Sequence, residues 1–305
     1  MNKTLITLGG FAGAIAVAFG AAFALGSAAE PISTPTESDH SASSETDHEE
    51  GQVSIAEGHG GHDATAPTAV LPGLAVSEAG YTLVPVATTL PAGDATDFRF
   101  SVTDPEGGPV HAYTEEHEKE LHLIAVRRDL SGFQHVHPTR DAEGTWSVPL
   151  DLSVGGTWRV FADFTPAELG RGLTLGTDVT VAGEFVPLPL PAASTTATTD
   201  GYDVTLEGTP TAGSESELTF TVSKDGTQVT DLEPYLGAFG HLVSLRTGDL
   251  AYLHTHPAAE AHAGQRGGPD VEFGTEFPTA GTYRLFLDFQ HGGAVHTAEF
   301  TVTVP

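Results

Sequence analysis

Two short stretches of the chain pair histidines in the pattern His-x-His-Pro: "QHVHP" at 134–138 and "LHTHP" at 253–257. Alternate residues of a strand share a face, so each stretch presents two imidazoles side by side. Imidazole binds Zn(II), Cu(II) or Ni(II), whereas Cu(I) prefers thiolate and thioether ligands. The chain has no cysteine, and its one methionine is residue 1. The pattern therefore predicts a Zn(II) or Cu(II) site of imidazole and carboxylate, with no organic cofactor.

The surroundings of both stretches repeat along the chain. "ELHLIAVRRDLSGFQHVHP" aligns with "FGHLVSLRTGDLAYLHTHP" at a spacing of 119 residues, and "GGTWRVFADF" aligns with "AGTYRLFLDF" at a spacing of 125. A unit of this length exceeds that of solenoid repeats, so each copy is interpreted as a whole domain. The corresponding pairs are His122 and His241, His135 and His254, His137 and His256, and Asp163 and Asp288.

Short alternating patterns such as "YTLVPV", "FRFSV" and "TWSVPLDL" are separated by turn residues, and Gly (36) and Pro (20) are abundant. About seven strands in each unit are typical of an immunoglobulin-like sandwich. The sequence predicts an all-β protein with two tandem sandwiches that arose by internal duplication. The expected boundaries are a membrane segment at 1–29, a tether at 30–75, domains at 76–184 and 201–305, and a linker at 185–200.

Strand parity places the histidines. His122, Ile124 and Val126 share one face of their strand, and His241 begins the equivalent row, so both rows are expected to face their own domain core. Counted from the turn near Leu130, His122 lies opposite His137, with His135 beside it. By the same count His241 lies opposite His256.

If consecutive strands alternate in direction, Asp163 returns to the histidine end of the first domain, and Asp288 and His291 return to that of the second. His111 and His117 lie in the loop that enters the His122 strand. One end of each domain is thus expected to form its own metal site, in which the acid is a ligand or orients an imidazole. The candidate ligands are His122, His135, His137, Asp163, His241, His254, His256, Asp288 and His291.

The net charge of −29 comes from 41 acidic and 12 basic residues. Nucleic-acid binding is excluded because phosphate contacts need Lys and Arg. An acidic surface instead raises the local concentration of cations. A divalent metal ion is therefore the expected partner.

Residues 4–29 carry no charge and are long enough to span a bilayer. One interpretation is a signal peptide, in which Ser27 and Ala29 precede the cleavage point. The other is an uncleaved membrane anchor, which the length of the apolar run favours. Either interpretation predicts an extracytoplasmic protein. The following tether is acidic and is expected to be disordered, with His40, His48, His59 and His62 able to collect metal weakly.

The motifs "EHEKELHLIAVRRDLSGFQHVHP", "TWRVFADFTP", "LAYLHTHP" and "GTYRLFLDFQHGG" resemble a largely uncharacterised family of actinobacterial secreted or membrane-anchored proteins. Some members of that family are described as heavy-metal-associated. The resemblance covers roughly residues 75–305 and the Gly/Ala-rich N-terminal segment. It implies an exported, anchored two-domain β protein.

Three functions are compatible with the sequence. The first is an extracytoplasmic metal buffer or donor, favoured by the paired histidine clusters. The second is a structural or interaction module of tandem immunoglobulin-like domains in which the histidines only pack. The third is a metalloenzyme, which is disfavoured because no catalytic motif such as G-x-S-x-G or H-E-x-x-H is present. The chain is therefore expected not to be an enzyme.

Overall fold

The computed structural model describes residues 71–253 and 255–305. All its regular elements are β-strands, and within these two ranges no helix could span a bilayer. The expected membrane segment (1–29), the histidines of the tether and His254 lie outside the described residues. The predictions for them stay predictions.

The first domain is a sandwich of two sheets. The outer sheet has the order β1-β2-β4-β9-β8, and the inner sheet has the order β3-β11-β10-β6-β7, with β5 also paired to β10. The strands are β1 (Ser77–Glu78), β2 (Tyr81–Pro85), β3 (Thr89–Leu90), β4 (Thr96–Thr103), β5 (Tyr113–Thr114), β6 (Leu121–Arg127), β7 (Gln134–Val136), β8 (Thr139–Arg140), β9 (Thr145–Leu150), β10 (Gly156–Pro166) and β11 (Leu173–Val181).

The second domain repeats this plan. Its outer sheet has the order β12-β13-β14-β19-β18, with β15 paired to β14, and its inner sheet has the order β17-β16-β20-β21. The strands are β12 (Thr196–Thr199), β13 (Tyr202–Glu207), β14 (Glu215–Lys224), β15 (Thr227–Gln228), β16 (His241–Arg246), β17 (Tyr252–Leu253), β18 (His256–Pro257), β19 (Asp270–Glu276), β20 (Gly281–His291) and β21 (Ala294–Val304).

Alternating hydrophobicity explains the outer strands. In β4 the side chains of Phe98, Phe100 and Val102 are fully buried between the two sheets, while the intervening residues are more exposed. Trp146 and Trp158 join the same core. The predicted all-β chain of two repeated sandwiches is confirmed.

The inner strands are buried on both faces. All seven residues of β6 are buried. Leu121 and Leu123 belong to the first domain's core, whereas Ile124 and Val126 belong to a separate apolar cluster shared with the second domain. The prediction that the row beginning at His122 faces its own core is therefore wrong. Alternation shows which residues share a face, but both faces of an inner strand are apolar.

The two inner sheets pack against each other. Phe133 stacks on Phe286 with ring centroids 4.0 Å apart, and Phe161 contacts Tyr252 at 5.8 Å. Val243, Leu245 and Leu250 complete the second domain's side of the interdomain cluster. The molecule is thus layered as outer, inner, inner and outer sheets.

The facing rows are equivalent in the repeat. β10 contributes Phe161 and Asp163, and β20 contributes Phe286 and Asp288, which lie 125 residues further along the chain. Asp163 pairs in register with His122, and Asp288 pairs in register with His241. Each domain therefore brings a histidine and an acid to the same end of the interdomain face.

The two hairpins that carry the His-x-His pairs differ. Leu123 pairs with Val136 and Ile124 pairs with His135, so one further step brings His122 opposite His137, as predicted. In the second domain β16 pairs with β17 in the equivalent register, but His256 pairs with Gly274 in the outer sheet. The expected position of His256 opposite His241 in one sheet is thus not observed.

Candidate metal centre

Three histidines of the first domain converge at the end of β6 and β7. Nδ1 of His122 lies 3.1 Å from Nε2 of His135 and 3.2 Å from Nε2 of His137. Among the described residues, these three form the group whose ligand atoms all lie within 4.8 Å of one another. His122 is buried, the side chain of His135 is 6% exposed, and His137 is half-buried. We call this group the histidine triad.

The hydrogen bonds around the triad fix two of its tautomers. Nε2 of His122 donates to the backbone carbonyl of Glu116 at 3.0 Å, because a carbonyl can only accept. Nδ1 of His135 donates to the carboxylate of Asp288 at 2.8 Å. In the neutral forms, Nδ1 of His122 and Nε2 of His135 therefore both present lone pairs across a gap of 3.1 Å.

Facing lone pairs repel each other unless a positive centre lies between them. One proton bridges only one pair of nitrogens, whereas one metal ion can accept all three lone pairs. With Zn–N bonds of ~2.0–2.1 Å, the edge of a tetrahedral site is about 3.3–3.4 Å long. The observed separations of 3.1 and 3.2 Å are close to that edge. Two of the three edges of the triad thus match a tetrahedral site, and the ligand atoms of His135 and His137 lie within 4.8 Å of each other.

The environment keeps the imidazoles of His122 and His137 neutral. Burial, followed by the nearby imidazole of His135, lowers the pKa of His122 to about 4. The same two causes, in the same order, lower the pKa of His137 to about 2. Neutral imidazole is the form that binds metal. Both side chains are therefore ready to bind a cation at neutral pH.

The acid that orients the triad comes from the second domain. The side chain of Asp288 is only 4% exposed. One of its oxygens accepts from His135 at 2.8 Å, and the other accepts from the hydroxyl of Thr297 at 2.6 Å. A carboxylate on the far nitrogen of a ligating histidine fixes the ring and raises its basicity. Asp288 is placed to do this across the domain boundary.

Two tight turns hold the first histidine of each repeat. His117 and Glu118 have positive φ values of 48° and 62°, as do Leu236 and Gly237 at 53° and 77°. Both pairs are central residues of two-residue turns of the type I′ kind. The first turn supplies the Glu116 carbonyl to His122.

The second turn supplies the carbonyl of Tyr235, which accepts from Nε2 of His241 at 2.8 Å. Burial is the main cause that lowers the pKa of His241 to about 4. Its ring centroid lies 6.3 Å from that of His135. His241 thus lies beside the triad but outside the three-residue group.

The sequence comparison places the chain in a family. Residues 76–183 and 197–305 each match the family described as a domain of unknown function, DUF8832. The chain belongs to this family. The match establishes a twofold repeat and carries no information on source organism, export or metals. No curated protein matches the sequence.

Solved structures show only remote similarity. The Escherichia coli adhesin FdeC has a TM-score of 0.24 and 16% identity, covering 76% of this chain and 66% of its own. Yersinia pseudotuberculosis InvD has a TM-score of 0.25 and 15% identity, and the match covers 75% of this chain and 58% of InvD. Invasin, a bacterial integrin-binding protein, has a TM-score of 0.23 and 11% identity, and the match covers 76% of this chain and 41% of invasin. The chain thus spans less than two thirds of each of these structures, and TM-scores this low establish no shared fold.

The two DUF8832 segments contribute unequally to the described site. The first supplies all three histidines, and the second supplies Asp288. Asp163, the counterpart of Asp288, accepts hydrogen bonds from Thr174 at 2.9 Å and from Tyr252 at 3.4 Å. Asp163 is therefore placed next to the triad strand but is not among the grouped ligand atoms.

His291 lies apart from the triad. Its Nδ1 is 2.7 Å from the hydroxyl of Tyr202, and its Nε2 is 3.2 Å from a carboxylate oxygen of Asp231. No described contact joins it to the three histidines. It ends β20 three residues beyond Asp288, so it faces the other side of the strand. The structure thus places His291 apart from the triad, and its prediction as a ligand of the second domain stays a prediction.

Sequence reasoning missed three features of the site. It assigned Asp288 to its own domain, and it did not use the carbonyls of Glu116 and Tyr235. It placed His117 in the entering loop but not near the second domain, where the His117 ring lies 5.1 Å from that of His241. In each repeat the carbonyl belongs to the residue six positions before the histidine, a spacing that the repeat preserves.

Proposed function

We propose that the protein is an extracytoplasmic metal-binding protein that holds Zn(II) or Cu(II) at the histidine triad. The observation that carries the proposal is the convergence of three ring nitrogens, with two tautomers fixed so that lone pairs face each other at 3.1 Å. The absence of cysteine favours Zn(II) or Cu(II) over Cu(I). The uncharged N-terminal segment favours export.

The role proposed is buffering or donation of the metal. The site lies at the edge of the interdomain cluster and not within a domain core, so both domains control its geometry. A second site built from His241, His254 and His256, with Asp288 and His291, stays a prediction of the repeat.

Isothermal titration of the full chain, purified without a histidine tag, tests the proposal. Zn(II) and Cu(II) are expected to bind at micromolar concentration or tighter, and His137→Ala is expected to weaken binding by more than about 100-fold. His296→Ala is the matched control. Nδ1 of His296 lies 2.8 Å from a carboxylate oxygen of Asp200, and this pair does not belong to the triad. Binding no tighter than about millimolar, or equal binding by both variants, would overturn the proposal.

A second candidate is an interaction module of tandem sandwiches. Large apolar side chains of the linker are exposed, with Val186 60% and Leu188 56% accessible, and exposed apolar patches often mark binding surfaces. On this account the histidines only pack, so Zn(II) leaves the melting temperature unchanged. If Zn(II) raises the melting temperature by several degrees and His137→Ala abolishes this rise, the histidines do more than pack.

A further inference from the structure

A cavity of about 410 Å³ lies between the domains, beside the triad. His122 and His135 form part of its wall, and His241 and Tyr252 line it from the second domain. Its volume falls in the ~300–1,000 Å³ range of small-molecule sites. A ligand in this cavity therefore reaches two of the three triad histidines.

A metal on the triad needs a further ligand, because Zn(II) is usually four-coordinate. Within the described ranges the ligand group contains three residues. The Asp288 oxygens are engaged by His135 and Thr297. Asp163 accepts from Thr174 and Tyr252. The cavity borders His122 and His135, so a ligand bound in it lies next to a metal held by the triad.

The charge of the cavity wall selects among ligands. Four carboxylates line it against two cationic side chains, and Arg171 is already paired with Glu78 at 3.0 Å. A divalent metal balances the formal excess of two negative charges. A neutral ligand preserves this balance, whereas an anion meets the carboxylates and the net charge of −29 on the chain. The lining carboxylates are those of Glu78, Glu116, Glu120 and Asp163, and the cations are Lys119 and Arg171.

His241 adds a hydrogen-bond acceptor to this wall. Its Nε2–H is directed to the Tyr235 carbonyl at 2.8 Å, so the lone pair of the neutral ring is on Nδ1. The structure gives this Nδ1 no partner within the residues it describes. A ligand that binds the metal through one nitrogen can donate a second N–H to this acceptor.

We propose that the fourth position of a metal on the triad is open to the interdomain cavity and takes from it a neutral nitrogen donor that carries an N–H, of the imidazole class. This inference rests on the proposed metal site. Imidazole combines one lone pair for the metal with one N–H for His241 or for the carboxylates. A ligand of this class exchanging at the open position gives the bound metal a route in or out.

Visible spectroscopy of the full chain loaded with Co(II) in place of Zn(II) tests the inference. Titration with imidazole is expected to change the d–d bands saturably, and azide is expected to need at least about tenfold more ligand for half-saturation. Failure to take up Co(II) at the triad overturns the metal site itself. Uptake with no spectral change on adding imidazole, or with azide binding as tightly, overturns only the open, neutral-selective position.

The N–H requirement has its own comparison. 1-Methylimidazole keeps the lone pair but lacks the donor, so it should bind about 5–10-fold more weakly, the effect of one hydrogen bond of ~1 kcal/mol. In His241→Leu this difference is expected to shrink to less than about twofold. Equal binding of the two ligands to the wild-type chain contradicts the role given to the N–H.

Glu116→Gln tests whether the carboxylates of the cavity wall disfavour anions. This change removes one carboxylate from the wall and retains the backbone carbonyl that holds His122. Azide is expected to bind several-fold more tightly than to the wild type, and imidazole equally. An unchanged ratio of the two affinities contradicts electrostatic selection.

A pentapeptide with a central histidine separates two sources of the same chemistry. Binding as tight as that of free imidazole supports a protein-borne donor. Exclusion of the peptide together with binding of imidazole supports a small free ligand.

Discussion

The carboxylate of Asp288 in the second domain accepts a hydrogen bond from Nδ1 of His135 in the first domain, at 2.8 Å and with both side chains nearly inaccessible to solvent. This bond joins residues 153 positions apart. Because it also sets which nitrogen of His135 faces the triad, the metal site depends on the packing of the two domains.

Asp288→Asn is expected to weaken Zn(II) binding by about 10–100-fold, the usual effect of removing the acceptor behind a ligating histidine. The amide can also present N–H to His135 and favour the wrong tautomer. Asp200→Asn is the matched control, since Asp200 contacts His296 at 2.8 Å on the surface. Chelator-competition titration measures both. Equal affinity of the two variants contradicts the role of Asp288.

His291→Ala is expected to leave the Zn(II) dissociation constant within about twofold of the wild type, because its ring contacts Tyr202 and Asp231 and not the triad. Its effect should instead be a small loss of stability, of about 1 kcal/mol, from the broken hydrogen bonds. Titration calorimetry and thermal unfolding of the same preparation separate the two effects. A large loss of affinity would place His291 in the site.

The metal-free protein is expected to lose stability as the pH falls from about 6.5 to about 4. Burial lowers the pKa of His122 and of His241 to about 4, below the ordinary value of about 6.5. In this window the unfolded chain binds protons that the folded chain does not, so stability decreases with acidification by up to ~1.4 kcal/mol per pH unit for each proton.

The comparison chain for this pH effect is His241→Gln. Between pH 7 and 4.5, in the presence of a chelator, the wild type should lose roughly 2–3 kcal/mol more than the variant. Urea unfolding at the two pH values measures the difference. Equal losses of unfolding free energy in the two chains contradict the lowered pKa of His241.

Phe286→Ala is expected to cost about 3–5 kcal/mol and to uncouple the domains, because Phe286 is fully buried and stacks on Phe133 across the interface. Differential scanning calorimetry should then show two transitions in place of one, and Zn(II) affinity should fall because Asp288 no longer meets His135. Val86→Ala, at a position 66% exposed, is the control. A single unshifted transition in Phe286→Ala rules out the coupling.

The hairpin geometry of the triad could be predicted from the sequence. Alternation within "HLIAV" and "FQHVH" and the short turn at Leu130 place His122 opposite His137, and the ladder agrees. The acid could not be assigned in this way. Alternation places Asp163 and Asp288 at the correct strand ends, but it does not show that the two inner sheets face each other. Without that packing, Asp288 is naturally assigned to its own domain.

The position of His256 in the second domain could not be predicted from the repeat. The repeat predicts that His256 mirrors His137, yet the chain has already crossed to the outer sheet at His256, which pairs with Gly274. The six-residue difference between the two spacings, 119 and 125, follows this point. The length of an insertion is visible in a sequence, but the residue at which a strand changes sheets depends on packing that the local pattern does not encode.

The central claim is that the three ring nitrogens of the triad hold one metal ion, and an anomalous-difference map of Zn(II)-loaded crystals, collected on both sides of the zinc edge, tests it most directly. The account predicts a zinc peak ~2.0–2.1 Å from Nδ1 of His122 and from Nε2 of His135 and His137, with the Asp288 carboxylate still on Nδ1 of His135. A map with no zinc between these three nitrogens, at a zinc concentration that saturates binding in solution, would contradict it.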